Sequence, residues 1–531
     1  MRPNASRLLA LTSAVLLGGL LTACSKDSGT TTTPTPTPPA SPSGVTATAV
    51  SQSSILVTWN QVSGATSYEV DRAEGSGALS NVASGLTTTA YNDTGLNAST
   101  TYNYVVRAKN SDGTSDNSSQ ASAKTNDAPV QGPKVAYVAG VSLDRTFYAD
   151  TLYVLQGYVK VRNSATLTIQ PGTKIVGDTL VPGSSLWILR GSKIMAEGTA
   201  DKPIVFTSEK TPGNRKPGDW GGLIIIGNAL TDRTVSTIFT EGPTGAAENF
   251  GGGTDPTDSS GSLKYVRVEF AGYDVSNGGG QELNSISNYA VGNGTHFDYI
   301  EVMAGLDDGI ENFGGNAEYR HIVSWNSADD QFDWGDGVQA RMQYFIAIVT
   351  QVLQPAPGTG TISSDPRGFE GDGCEIEKPG CAYTNPPYSM PVLANFTVIG
   401  PGPGVFATTD GNGSVIRRGS TVGMVNGIIA RWPGVGISLR DPEVVDLTTK
   451  DSTFIHNVFL AENGSNFEPV GKNFGSMVKD SAAAWNITEA QMADVFAGTL
   501  PIGTAVPASG ADLGIQLKAG SAAATGAAIA C

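Results

Sequence analysis

The sequence predicts an all-β protein whose larger part is a parallel β-solenoid, and three observations lead there. The segment Asp307-Asp308-Gly309-Ile310-Glu311-Asn312-Phe313-Gly314-Gly315 recurs 22 residues later as Asp329-Asp330-Gln331-Phe332-Asp333-Trp334-Gly335-Asp336-Gly337. A period of that size, with β-rich sequence between the copies, corresponds to one coil of a stacked solenoid. The 531 residues include 66 glycines and only 15% charged side chains, a composition that favours turn-rich β structure over helix. The apolar runs are long and do not alternate strictly, as in residues 152–161, 165–175 and 185–194.

The chain starts with a targeting pattern. Arg2 and Arg7 precede an apolar run from Leu8 to Leu21 that is too short to span a membrane as a mature helix. Leu21-Thr22-Ala23-Cys24 then resembles a bacterial lipobox. That resemblance implies a signal peptide over 1–23, lipidation of Cys24, and contact with the membrane through the lipid anchor only. Ser25 after the cysteine is similar to the outer-membrane sorting pattern, which implies an anchored protein, periplasmic or surface-exposed. Residues 24–40 are rich in Thr and Pro and read as an extended tether. The net charge of −16 argues against nucleic acid as a partner. Of the remaining cysteines, Cys374 and Cys381 flank a Pro-Gly turn and are expected to form a local disulfide, while Cys531 has no assigned partner. Three scattered histidines and the lack of CxxC pairs argue against a thiolate metal site.

Residues 41–126 read as short strands punctuated by turns: Ile55–Trp59, Ser67–Arg72 and Thr101–Ala108, with Asn110-Ser111-Asp112-Gly113 as a hairpin turn. Trp59, Tyr68, Leu96 and Tyr102, which lies six residues on in the tyrosine-corner position, together resemble a fibronectin type III domain. That resemblance implies a β-sandwich serving as spacer or binding module.

From 133 to 531 the β runs lengthen. The order Ser185–Ile194, Ala196-Glu197-Gly198-Thr199, Pro203-Ile204-Val205-Phe206-Thr207 and Gly218-Asp219-Trp220-Gly221-Gly222 resembles the opening coils of right-handed parallel β-helix surface proteins of the pectin-lyase-like kind. Later strands are expected at 263–270, 297–302, 319–323, 342–349, 393–399, 424–429 and 454–459. Large loops are expected after Thr350, including 354–391, where binding sites of solenoids tend to lie. A short helix over 488–497 is expected from the capping box Thr488-Glu489-Ala490-Gln491, with Met492, Val495 and Phe496 as its apolar face.

The candidate chemistry is acidic. Residues 298–337 hold ten acids against one base, Arg320. Stacked coils would bring matching carboxylates to about 4.8 Å, where two like charges repel by roughly 3–4 kcal/mol at an effective dielectric near 20. A metal ion, a raised pKa or splaying into water must offset that repulsion. Three readings follow. In the first, Asp307, Asp308, Glu311, Asp329, Asp330, Asp333 and Asp336 hold Ca²⁺, since hard cations prefer carboxylate and carbonyl oxygens. In the second, Asp308, Asp329, Asp330 and Asp333 supply a catalytic pair: Asp329-Asp330 is similar to the pair of β-helix polysaccharide hydrolases, although the Gly-His-Gly and Arg-x-Lys strings of those enzymes have no counterpart here. A lyase variant would draw its base from Arg320 or Arg341. In the third, the acids cap turns through side-chain-to-backbone bonds. Trp334, opposite the polar Asn312, is expected to be exposed and to join Arg320 and Arg341 in binding ligand, whereas Phe332 is expected in the core. Glu370, Asp372, Glu375 and Glu377 form a second acidic segment within reach of the first. The expected function is surface binding of polysaccharide or another envelope ligand with Ca²⁺ at the acids; the alternatives are a glycan hydrolase or lyase, or a ligand-free scaffold.

Overall fold

The structure, a computed structural model, describes residues 37–525 apart from 52, 98, 127–133, 235–237, 243–248, 279, 407–410, 442–452, 469–480 and 499–514. Cys24, the expected signal peptide over 1–23 and Cys531 lie outside the described residues. The chain divides into two compact units between Gln131 and Gly132.

The first unit is a sandwich of two antiparallel sheets. One holds Thr46–Ser51, Ser54–Thr58 and Ala90–Thr94; the other is built around Ser67–Glu74 and Thr101–Asn110. Ile55, Val57, Trp59, Tyr68, Val70, Leu96, Tyr102 and Tyr104 fill the space between them. The Tyr102 hydroxyl accepts the Asn97 N–H at 3.0 Å, closing the corner that its spacing from Leu96 suggested. Asp93 is 2% exposed and is matched by Arg72, at 3.0 Å, and by the Tyr104 hydroxyl, at 2.8 Å.

The second unit is a parallel β-helix of three stacked ladders. One runs Arg145–Phe147, Thr166–Ile169, Lys193–Glu197, then through the first halves of Gly261–Glu269, His296–Met303, Glu318–Trp325, Arg341–Ile348, Val392–Ile399, Gly423–Ala430 and Phe454–Ala461. The second halves of those long strands form the next ladder, which ends on Ile487–Ala490. The third stacks Gly222–Ile226, Ile286–Val291, Ile310–Gly315, Phe332–Gly335, Arg367–Gly371, Asn412–Ile416 and Val435–Leu439. Inward side chains of all three ladders, such as Phe297, Tyr319, Phe332, Trp334, Phe345 and Phe396, make one continuous core.

The long strands bend at a residue held at positive φ (Tyr265, Tyr299, His321, Tyr344, Asn395, Asn426 and Asn457), and Asn486, just before Ile487–Ala490, continues the series, all between 48° and 63°. A left-handed residue with a Cβ costs about 1–2 kcal/mol, and stacking between coils offsets that cost. In the first four coils the rings of Tyr265, Tyr299, His321 and Tyr344 lie face to face, with centroids 4.4, 4.2 and 5.0 Å apart. In the later coils asparagine takes over, and each Nδ2 donates to the preceding Oδ1 at 3.2, 2.8 and 3.4 Å.

Two expectations from the sequence change here. Thr488-Glu489-Ala490 lies in the strand Ile487–Ala490, paired with Val458–Ala461, and the helix is confined to Met492–Val495 without a side-chain cap. Pairing with a preformed coil edge outweighs a single capped turn, because isolated short helices are marginal. The stretch 354–391 is not all loop: Arg367–Gly371 within it is a strand of the third ladder.

Candidate functional site

The repeated acidic segment is half turn and half strand. Asp307-Asp308 and Asp329-Asp330 turn the corner into the third ladder, while Ile310–Gly315 and Phe332–Gly335 run along it. Asn284, Asp308, Asp330 and Arg367 occupy the same corner position on successive coils. The Asp308 N–H donates to Asn284 Oδ1 at 3.0 Å, the Asp330 N–H to Asp308 Oδ1 at 2.8 Å, and the Arg367 N–H to Asp330 Oδ1 at 2.6 Å. Asp308 and Asp330 are therefore buried rungs, with 5% and 1% exposure, that tie one coil to the next. For these two residues the turn-capping reading describes one carboxylate oxygen; the other remains for a ligand in Asp308 and faces the Arg367 guanidinium in Asp330.

One turn further on, Glu311, Asp333 and Glu370 align in register. They point away from the core, since the intervening Ile310, Phe332 and Phe369 are fully buried. The result is three overlapping triads whose ligand oxygens lie within 4.8 Å of one another: Asp307/Asp308/Asp329, Asp308/Glu311/Asp333 and Asp330/Asp333/Glu370. Asp333 belongs to two of them, and its buried Oδ1 accepts no hydrogen bond.

Cations gather at one end only. Arg367 reaches Asp330 at 3.3 Å and Glu370 at 2.6 Å; Arg417 reaches Glu370 at 3.0 Å and Asp372 at 2.8 Å. Lys378, carried by the segment that the Cys374–Cys381 disulfide closes, pairs with Glu375 at 3.3 Å. Among the described residues, Asp307, Asp308, Glu311, Asp329 and Asp333 make no ion pair. Burial, and after it the neighbouring carboxylates, push Asp307, Asp308, Glu311, Asp330 and Asp333 well above the usual carboxylate range. Burial also raises Asp329, takes Glu370 up to about 7, and takes Glu241 up to about 8 on the far wall. Glu241, Glu311, Phe313, Asp333, Glu370 and Arg417 are among the walls of a cavity of about 230 Å³ over the strand faces.

The donor set fits a hard cation. Carboxylate oxygens no more than 4.8 Å from one another, as in each triad, are close enough for one ion to reach them all at about 2.3–2.6 Å. The set does not fit a catalytic pair drawn from Asp329-Asp330. Asp330 is taken up by Arg367 and a backbone N–H, while Asp329 faces a different triad.

Three expected site residues do not serve the groove, and a fourth, Asp336, is already paired. Trp334 is fully buried, with its indole N–H donating to Ser420 Oγ at 2.9 Å. Its partner Asn312 is buried as well, accepting from the Tyr319 hydroxyl, so a polar residue at that register marks an internal hydrogen bond and not a wet face. Arg320 and Arg341 lie on the first ladder, whose outer side carries none of the triads. Asp336 is neutralised by Arg233 at 2.5 and 3.0 Å.

Glu370 and Arg367 had a readable signal. Arg367-Gly368-Phe369-Glu370 is a third copy of Asp308-Gly309-Ile310-Glu311 and Asp330-Gln331-Phe332-Asp333, hidden by a longer coil. Glu241 and Arg417 carried no such sign.

Stacked coils with an outward groove on one ladder define the class: a parallel β-helix domain that follows a fibronectin-like sandwich in the sequence. The family of pectate-lyase-like β-helix domains matches residues 140–508, and the fibronectin type III family matches 40–124. The chain belongs to the family of pectate-lyase-like β-helix domains. It is 36% identical over 146 residues to a poly(3-hydroxybutyrate) depolymerase of Ralstonia pickettii, covering 23% of this chain and 29% of that protein. It is 32% identical over 169 residues to exoglucanase B of Cellulomonas fimi, covering 29% of this chain and 14% of that protein. The chain thus spans less than a third of the length of either relative. Among solved structures, an Fn3-like protein from Clostridium thermocellum is 31% identical, covering 18% of this chain and 99% of that one, with a TM-score of 0.15.

Proposed function

We propose that this protein is a lipid-anchored outer-membrane surface protein whose β-helix binds polysaccharide through Ca²⁺ held by the acidic groove. The observation that carries the reading is the trio of overlapping carboxylate triads, in which Asp307, Asp308, Glu311, Asp329 and Asp333 make no ion pair among the described residues. Five acids raised together by burial and mutual repulsion are costly in a folded chain unless a divalent ion joins them. Asp307, Asp308, Glu311, Asp329, Asp330, Asp333 and Glu370 would hold the ions, which supply positive charge to orient sugar hydroxyls or carboxylates. The chain's own residues shape the rest of the groove: Arg417 and Lys378 stand at its cationic end, and Phe313 floors it. A relative named as an exoglucanase supports a polysaccharide as the ligand. The fibronectin module and the Thr/Pro segment act as spacers that carry the groove away from the membrane.

The test is retention of the protein on immobilised polysaccharides with Ca²⁺ and with chelator. Binding that appears only with Ca²⁺, and is lost in Asp333→Asn, supports the reading. Equal retention in chelator, or none on any glycan of a broad panel, removes it.

A further inference from the structure

Arg320 and Arg341 open a second question, because the structure takes them away from the acids. With Glu318, Met342, Gln343 and Val392 they line a groove of about 390 Å³ on the outer side of the first ladder. Arg320 stands opposite Gln343, and Arg341 opposite Glu318, so the two guanidinium groups are diagonal neighbours on adjacent coils. Both are exposed, and their side chains make no ion pair or hydrogen bond among the described residues. Glu318 is the one acid lining the groove. Asp298, on the preceding coil, is already engaged by His321 Nδ1 at 2.8 Å and by Lys264 at 3.9 Å.

The residues that follow Arg320 and Gln343 in the chain, His321 and Tyr344, belong to the ring column at the bend. Tyr299 has Tyr265 on one face and His321 on the other, so its 40% exposure lies along its edge and hydroxyl. Tyr344, next in the chain to Gln343, ends the column and is 47% exposed. A rigid row of ring edges and hydroxyls therefore runs beside two unpaired guanidinium groups, at one step per coil.

We propose that this groove is a second binding site, independent of metal, for an acidic glycan. Its carboxylate or sulfate groups pair with Arg320 and Arg341, and its hydroxyls bond to Gln343, Tyr299 and Tyr344. A planar guanidinium matches either oxyanion with two parallel hydrogen bonds. Two cations against one acid make this a local positive spot on a chain of net charge −16, so attraction of a polyanion must be short-ranged and salt-sensitive. The site shares no residue with the acidic groove, and its test is separable from that one.

The experiment is titration of the full chain, in chelator, with polygalacturonate, dextran sulfate and neutral dextran. Arg320→Gln/Arg341→Gln and Asp333→Asn serve as variants, with thermal melts confirming that both fold as the parent does. Binding of one or both acidic polymers but not neutral dextran is expected, weakened about tenfold or more in the double arginine variant and released by added salt. Asp333→Asn should leave it within about twofold, since that residue faces the other ladder. The preferred polymer tells carboxylate from sulfate. No binding in chelator, or binding unchanged in the double variant, overturns the proposal. Inorganic phosphate competing as well as the polymer, charge for charge, overturns the glycan as occupant.

Discussion

At the scale of single residues, the groove is a set of charges that the fold holds closer than they would choose. Asp333 is the clearest case, shared by two triads and left with an unbonded buried oxygen. Asp333→Asn keeps the shape and removes one charge. Without metal it should stabilise the protein, by about 1 kcal/mol; with saturating Ca²⁺ it should be less stable than the parent, and melts in chelator and in Ca²⁺ should show the two opposite shifts. The pH dependence has a definite sign. Glu370, raised to about 7, and Glu241, raised to about 8, hold their protons more tightly folded than unfolded. Such groups favour folding below the ordinary carboxylate pKa, and that contribution is lost as pH rises through 7 to 8. Metal-free protein should thus melt at lower temperature at pH 8 than at pH 5, and Ca²⁺ should recover much of the difference at pH 8. Much of this was legible in the sequence, because a 22-residue repeat of acids can only be a stack. What it did not give was direction: Trp334 was expected outside because Asn312 is polar, yet both side chains turn inward and bond to Ser420 and Tyr319.

At the scale of elements, the first two ladders were readable because their strands are long and apolar. The third was not, since its strands are short and share their segments with turns, as in Phe332–Gly335. The bends left no pattern in hydropathy, because tyrosine, histidine and asparagine share only the backbone position they occupy. That position makes a prediction. Asn426 sits at φ 56° and bonds to Asn395 and Asn457. Asn426→Ala should cost about 2 kcal/mol, adding lost bonds to left-handed strain, while Asn426→Gly should cost less because glycine accepts that φ freely. Urea unfolding of the two variants would check the order. The close approach of Gly371 to the Trp334 indole, where a Cβ would meet the ring at 2.3 Å, predicts that Gly371→Ala displaces a core tryptophan and destabilises by about 1–3 kcal/mol, also readable by urea.

At the scale of the whole molecule, the proposed arrangement is an anchor, a tether, a spacer and a groove. The anchor has its own test: Cys24→Ser should move the protein from the membrane fraction to the soluble fraction of cells and abolish labelling with fatty acid. The groove is tested by calorimetric titration of Ca²⁺ into the metal-free full chain. Saturable binding of more than one ion is expected, since the triads recur from coil to coil, with affinity reduced by about tenfold or more in Asp333→Asn. A flat titration, with melting temperature equal in Ca²⁺ and in chelator, would contradict it and leave the acids as rungs of the stack.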